Sequence, residues 1–112
     1  MTTFAEIAEY VSLCQPGENQ RGLFTDATIK SAVPVAAGIY RLYAYDEKPL
    51  WVGQSHNLRE RLLDWLDENH FVDAYSPWYF EYQLCQASLL DDVEQLQIRL
   101  LRPLLNVQRP LG

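Results

Sequence analysis

At 112 residues the chain has room for one domain with a modest core, and 48% hydrophobic against 21% charged residues is an ordinary globular balance. A net charge of −6, with Lys30 and Lys48 the only lysines among nine cations, excludes an indiscriminate nucleic-acid binder that works by neutralising phosphates. No apolar run approaches a membrane span, and the Met-Thr-Thr-Phe-Ala-Glu start lacks a basic-then-apolar leader, so no membrane contact and a cytoplasmic location are expected.

Residues 3–14 carry Phe4, Ile7, Ala8 and Val11 at helical spacing, with Thr2 or Thr3 as cap, and Gln15-Pro16-Gly17 ends the pattern. Cys14 and Cys85 lack metal-ligand spacing and are expected as reduced, core-facing thiols. Residues 18–37 give no clear period. Thr25-Asp26 and Ser31 read as turn positions, and Ala32-Val33-Pro34-Val35 leads on extended. Two apolar, aromatic runs follow, at 38–45 and 49–53, separated by the polar Asp46-Glu47-Lys48-Pro49, and they read as a hairpin.

Ser55 and Asn57 are both suited to cap the helix expected over 57–67, whose apolar stripe is Leu58, Leu62, Trp65 and Leu66. Residues 71–76 read as a loop. The alternation of Trp78, Phe80, Tyr82 and Leu84 predicts a strand over 78–85, and Ser88 begins a helix that Pro103 stops after Leu101. The tail from Leu104 to Val107 reads as extended.

Two polar side chains stand out on physical grounds. Glu94 falls inside the apolar stripe Leu90, Ile98, Leu101, where a carboxylate costs several kcal/mol (roughly) unless it is paired or holds a cation. A salt bridge to an arginine is the plainer alternative. Arg61 lies about 60° off the centre of its helix's apolar stripe, at the rim of the core, and is either a surface partner for Asp64 or a phosphate-binding guanidinium.

In order, these residues resemble the GIY-YIG nuclease family. Gly38-Ile39-Tyr40 is the first half of its signature, and Trp51-Val52-Gly53 stands at the spacing of the second, with Trp where the family has Tyr. Asn57-Leu58 and Arg61 match its Asn/Asp-Leu pair and catalytic arginine. Glu94, Pro103 and Asn106 follow with the order and separations of the excision-repair branch, whose incision subunit carries the closest pattern. The resemblance covers about residues 33–107.

What the resemblance implies is an α/β domain over 33–112, with a small, mainly antiparallel three-stranded sheet flanked by helices, and a helical extension over 1–32. It implies a metal-dependent endonuclease hydrolysing DNA phosphodiester bonds. Glu94 would hold Mg2+ or Mn2+, Tyr40 would orient or activate water, and Arg61 would stabilise transition-state charge. Trp51 would occupy a catalytic position without the hydroxyl that position usually carries. Gln54, where the excision-repair branch has Lys, would form the substrate-binding group with Ser55, His56 and Arg59. Gly38, Gly53, Asn57 and Asn106 would serve the motif's structure. The two departures, Trp51 and Gln54, point to a slow or impaired enzyme. DNA is the expected partner, with a protein partner supplying affinity that the acidic surface lacks. The rival reading is a non-catalytic module of the same fold that binds nucleic acid or a protein.

Overall fold

Alternation of large side chains across Gly38–Ala44 and Pro77–Leu84 builds a sheet with two buried faces. The computed structural model describes residues 20–108, so the helix expected over 3–14 and Cys14 lie outside the described residues. In chain order the elements are β1 (Gln20–Leu23), α1 (Asp26–Ala32), β2 (Gly38–Ala44), β3 (Pro49–Ser55), α2 (Leu58–Leu66), α3 (Asn69–Tyr75), β4 (Pro77–Leu84), α4 (Leu90–Leu101) and α5 (Leu104–Gln108). The chain is α/β, and its sheet has four strands rather than three, in the order β1-β4-β2-β3 with every pairing antiparallel.

The added strand is β1. Gln20-Arg21-Gly22-Leu23 carries no hydrophobic alternation because it is a short edge strand, largely exposed, and among the described strands it pairs with β4. Residues 20–32 thus share the sheet and core of the rest: Ile29 of α1 is fully buried, and the Tyr82 hydroxyl donates to the Ala32 carbonyl at 3.0 Å. Thr25 is the N-cap of α1, its side chain accepting from the Thr28 N–H.

One face of the sheet carries Tyr40, Leu42, Phe80 and Tyr82, packed against Ile29 of α1, Leu58 and Leu62 of α2 and Phe71 of α3. The other carries Ile39 and Val52 against Leu90 and Val93 of α4. Cys85 is buried in this second cluster and is disulfide-bonded, not the reduced thiol expected. Between Leu42 and Tyr43 the β2–β3 register shifts, leaving Leu50 without a partner in the ladder. Leu50 and Trp51 therefore both pack on the first face.

The second face also buries charge. Arg41 donates from Nε to Glu81 at 3.0 Å and from Nη1 to Gln97 of α4 at 2.7 Å, tying β2, β4 and α4 together. The neighbouring Tyr43 phenol is pushed up to about 12, first by desolvation.

Three further expectations fail. Residues 69–75 form a helix, not a loop, held by Phe71 and Tyr75 one turn apart with ring centroids 5.8 Å from each other. The tail after Pro103 turns helical instead of extended. Ser88 does not cap α4 either: a 3-10 turn over Ala87–Leu89 precedes it, and Asp91 and Asp92 in the first turn supply the favourable charge there.

Candidate functional site: an aromatic cavity and a buried tyrosine hydroxyl

Tyr40 and Gly53 face each other across the β2–β3 ladder. Gly53 has no side chain because the Tyr40 ring lies over it: a Cβ there would collide with the phenol and come within 2.8 Å of Trp51 Nε1. Gly38 answers a similar close approach, from the Gln83 carbonyl of β4. Both motif glycines are thus read directly as packing requirements of the sheet.

The Tyr40 hydroxyl, in a residue only 1% exposed, receives three N–H donors. Trp65 Nε1 approaches it at 2.7 Å, Trp51 Nε1 at 3.2 Å and Arg61 Nε at 3.4 Å. A phenol oxygen has two lone pairs, so three donors more than fill its accepting capacity. Arg61 does not ion-pair with Asp64. Its pKa is held above the ordinary guanidinium value, first by the hydrogen bond to Tyr40, with Asp64 and Glu68 adding weaker attraction. α2 can aim Arg61 and Trp65 at one atom because they are one turn apart on one helix face. Asn57 starts that helix by accepting from the Glu60 N–H at 3.1 Å, so Asn57, not Ser55, is the cap.

A cavity of about 530 Å3 is lined by the three side chains that donate to this hydroxyl, Trp51, Arg61 and Trp65, but not by Tyr40 itself. Trp51, Trp65, Phe71 and Tyr75 give it an aromatic wall, while Arg61, Asp64 and Glu68 supply its charges. Leu105 of α5 closes one side. On the same short helix, Asn106 meets the outer edge of β3. Its Oδ1 accepts from the Val52 N–H at 2.8 Å and its Nδ2 donates to the Val52 carbonyl at 3.0 Å. One side chain thus stands in for a neighbouring strand at the edge of the second motif.

Glu94 does not line the cavity. Gln54, partnered with Ile39 and so directed to the α4 side of the sheet, donates from Nε2 to Asp91 at 2.6 Å and to Glu94 at 3.5 Å. Glu94 is 7% exposed and has no ion pair with an arginine among the described residues. Burial raises its pKa above the ordinary carboxylate value; the Gln54 hydrogen bonds oppose that rise, and the Asp91 charge adds to it.

This shift has a checkable consequence. The folded carboxyl holds its proton more tightly than the unfolded one, so stability is fully present below the ordinary value of 4.5 and falls as pH rises through the raised folded value. Glu94→Gln is therefore expected to gain stability relative to the wild type at about pH 7 and to lose that advantage by about pH 4. Urea midpoints for both proteins at the two pH values measure it. An unchanged difference across the range would show that Glu94 does not titrate as described.

No protein-family model matches the chain, and neither does any curated protein.

The remaining residues expected to contact substrate serve the scaffold or point outward. Arg59 donates to the Val33 carbonyl at 2.7 Å, fastening α2 to the end of α1. Ser55 exchanges hydrogen bonds with the backbone of Asn57, and His56 is exposed. Tyr40, Trp51 and Arg61 are brought together, while Glu94 and Gln54 pair with each other apart from the cavity. Two participants were missed. Trp65 had a readable signal in its position four residues after Arg61, whereas Asp91 had none. No group of three or more His, Cys, Asp or Glu that could hold a metal occurs among the described residues. The carboxylates of Asp91 and Glu94 both accept from the Gln54 amide nitrogen, so an N–H donor stands between them, and a cation bridging the pair would have to displace it.

Proposed function

We propose that the chain is a GIY-YIG-type domain and a slow, divalent-metal-dependent endonuclease acting on DNA. The observation that supports this best is the approach of Arg61 Nε to the Tyr40 hydroxyl at 3.4 Å beside an open cavity, since the two residues are 21 positions apart and each matches a separate part of the family pattern. Arg61 presents its guanidinium to a phosphate and to the charge that grows on it during hydrolysis. Tyr40 holds water by its hydroxyl once one of its three donors turns away. Asn106 keeps the β3 edge, and with it Trp51, in register. Glu94, with Asp91 beside it, would hold Mg2+ or Mn2+, which when bound supplies positive charge to the phosphate and the departing oxygen.

Nicking of supercoiled plasmid at low salt with Mg2+ or Mn2+ tests this reading. The wild type is expected to nick slowly. Arg61→Ala is expected to lose about 100-fold or more, the usual scale for removing one transition-state donor. Glu94→Ala is expected to show no metal-dependent cleavage, and thermal melting should show Mn2+ stabilising the wild type but not this variant. Cleavage that survives Glu94→Ala unchanged would overturn the metal assignment.

The second reading, a non-catalytic module that binds nucleic acid or a protein, has its own support. The Tyr40 hydroxyl is sealed by two indoles, and Glu94 stands outside the cavity that holds Arg61. Absence of nicking in every variant, with binding retained, would decide for it.

A further inference from the structure

Resting on the DNA-processing reading above, we infer that the cavity beside Arg61 receives a single unpaired nucleobase, so that the domain engages single-stranded or locally opened DNA. The volume of about 530 Å3 falls within the range of small-molecule sites and accommodates a base with its sugar. The wall is a run of rings in mutual contact: Trp51 and Trp65 have centroids 5.2 Å apart, Trp65 and Phe71 4.8 Å. Such a surface stacks any base without reading its sequence, for about 1–3 kcal/mol per base.

Charge argues against a phosphate inside the cavity. Arg61 is the lining's one permanent cation and faces two negative groups, Asp64 and Glu68, with His70 also on the lining, and neither carboxylate makes a hydrogen bond or ion pair among the described residues. A neutral base meets no repulsion there. Its N–H edge finds acceptors in those carboxylates, and Arg61, an exposed residue on the cavity's lining, remains for the adjoining phosphate outside it. A duplex offers neither a free base face nor a free pairing edge, so it gains nothing from the wall. With a net charge of −6 over the chain, backbone contacts alone give weak binding, and stacking becomes the larger share.

The test is tryptophan fluorescence in EDTA, where no metal supports cleavage. A Trp78→Phe background leaves only the two wall tryptophans, since the chain has three. The titrants are a single-stranded oligodeoxynucleotide, its duplex and inorganic phosphate. The single strand is expected to quench at a concentration about tenfold or more below that of the duplex, and phosphate not at all. Ala74→Phe, which fills the cavity mouth from an exposed position on α3, is expected to erase that preference, as is Tyr75→Leu, which removes a wall ring. Equal binding of both DNA forms, quenching by phosphate alone, or a preference that survives both substitutions would overturn the inference. Loss of plasmid nicking with the strand preference intact would overturn only the cleavage reading, and nicking without the preference only this one.

Discussion

Asn106→Ala is expected to destabilise the folded protein by about 2–6 kcal/mol, because it strands two buried backbone groups at roughly 1–3 kcal/mol each. The side chain is 5% exposed, and the Val52 N–H and C=O that it satisfies sit on the outer edge of β3, with no strand beyond among the described residues. Alanine leaves both groups desolvated while Leu105 still covers the neighbouring surface. A small domain holds only about 5–15 kcal/mol in total, so the variant should lie near or past the edge of stability. Urea denaturation checks the figure. A loss below about 1 kcal/mol would mean that water already reaches this edge and replaces the amide.

Trp51→Tyr is expected to raise metal-dependent nicking by about ten- to hundredfold, toward the lower end of what general acid–base help contributes. The Trp51 indole can only donate, and it spends that N–H on the Tyr40 oxygen at 3.2 Å. A phenol in its place both donates and accepts, so it can hold a water while relieving one of the three donors crowding Tyr40. Both rings are planar and aromatic, and Trp51 is only partly buried, so the packing with Trp65 is largely retained. Initial nicking rates, measured with urea midpoints as a control for folding, give the comparison. A rate that stays flat or falls in a stably folded Trp51→Tyr would show that the missing hydroxyl is not what limits the protein.

Much of the sheet and the two main helices were readable because their signals are periodic. Trp78, Phe80, Tyr82 and Leu84 alternate, Leu58 and Leu62 repeat at one turn, and β2, β3, β4, α2 and α4 follow with small shifts in their ends. The elements that were not legible owe their existence to tertiary contact. β1 is held by pairing with β4 and has no buried stripe of its own. α3 begins at Glu68 without a side-chain cap and ends at Ser76 in a left-handed conformation with φ of 46°, so its boundaries carry none of the usual markers. α5 is five residues long, too short for a period.

The site divides in the same way. Burial of Glu94 followed from its place in an apolar stripe, whereas proximity of Tyr40 to Arg61 was implied only by the family resemblance. That Gln54 would spend its amide on Asp91 and Glu94, or that Trp65 would point its N–H at Tyr40, depends on which face β3 shows to each helix. Gln54 pairs with Ile39 in an unbroken register, but a strand's own alternation does not say which helix covers which face.

The place of β1 bears on how the chain assembles. Gln20 pairs with Tyr82, so the first described strand finds its partner only when the last has been made. Closing so long a loop is entropically costly and is repaid late, whereas the β2–β3 hairpin needs only neighbours in sequence. Folding should therefore proceed outward from the hairpin, with docking of residues 20–32 as a slow closing event. Until that event β4 presents a bare strand margin, and Phe80 lacks the cover of Gly22 and Thr28. A fragment cut at residue 33, where the motifs alone would place the boundary, would be held permanently at that stage and be prone to self-association.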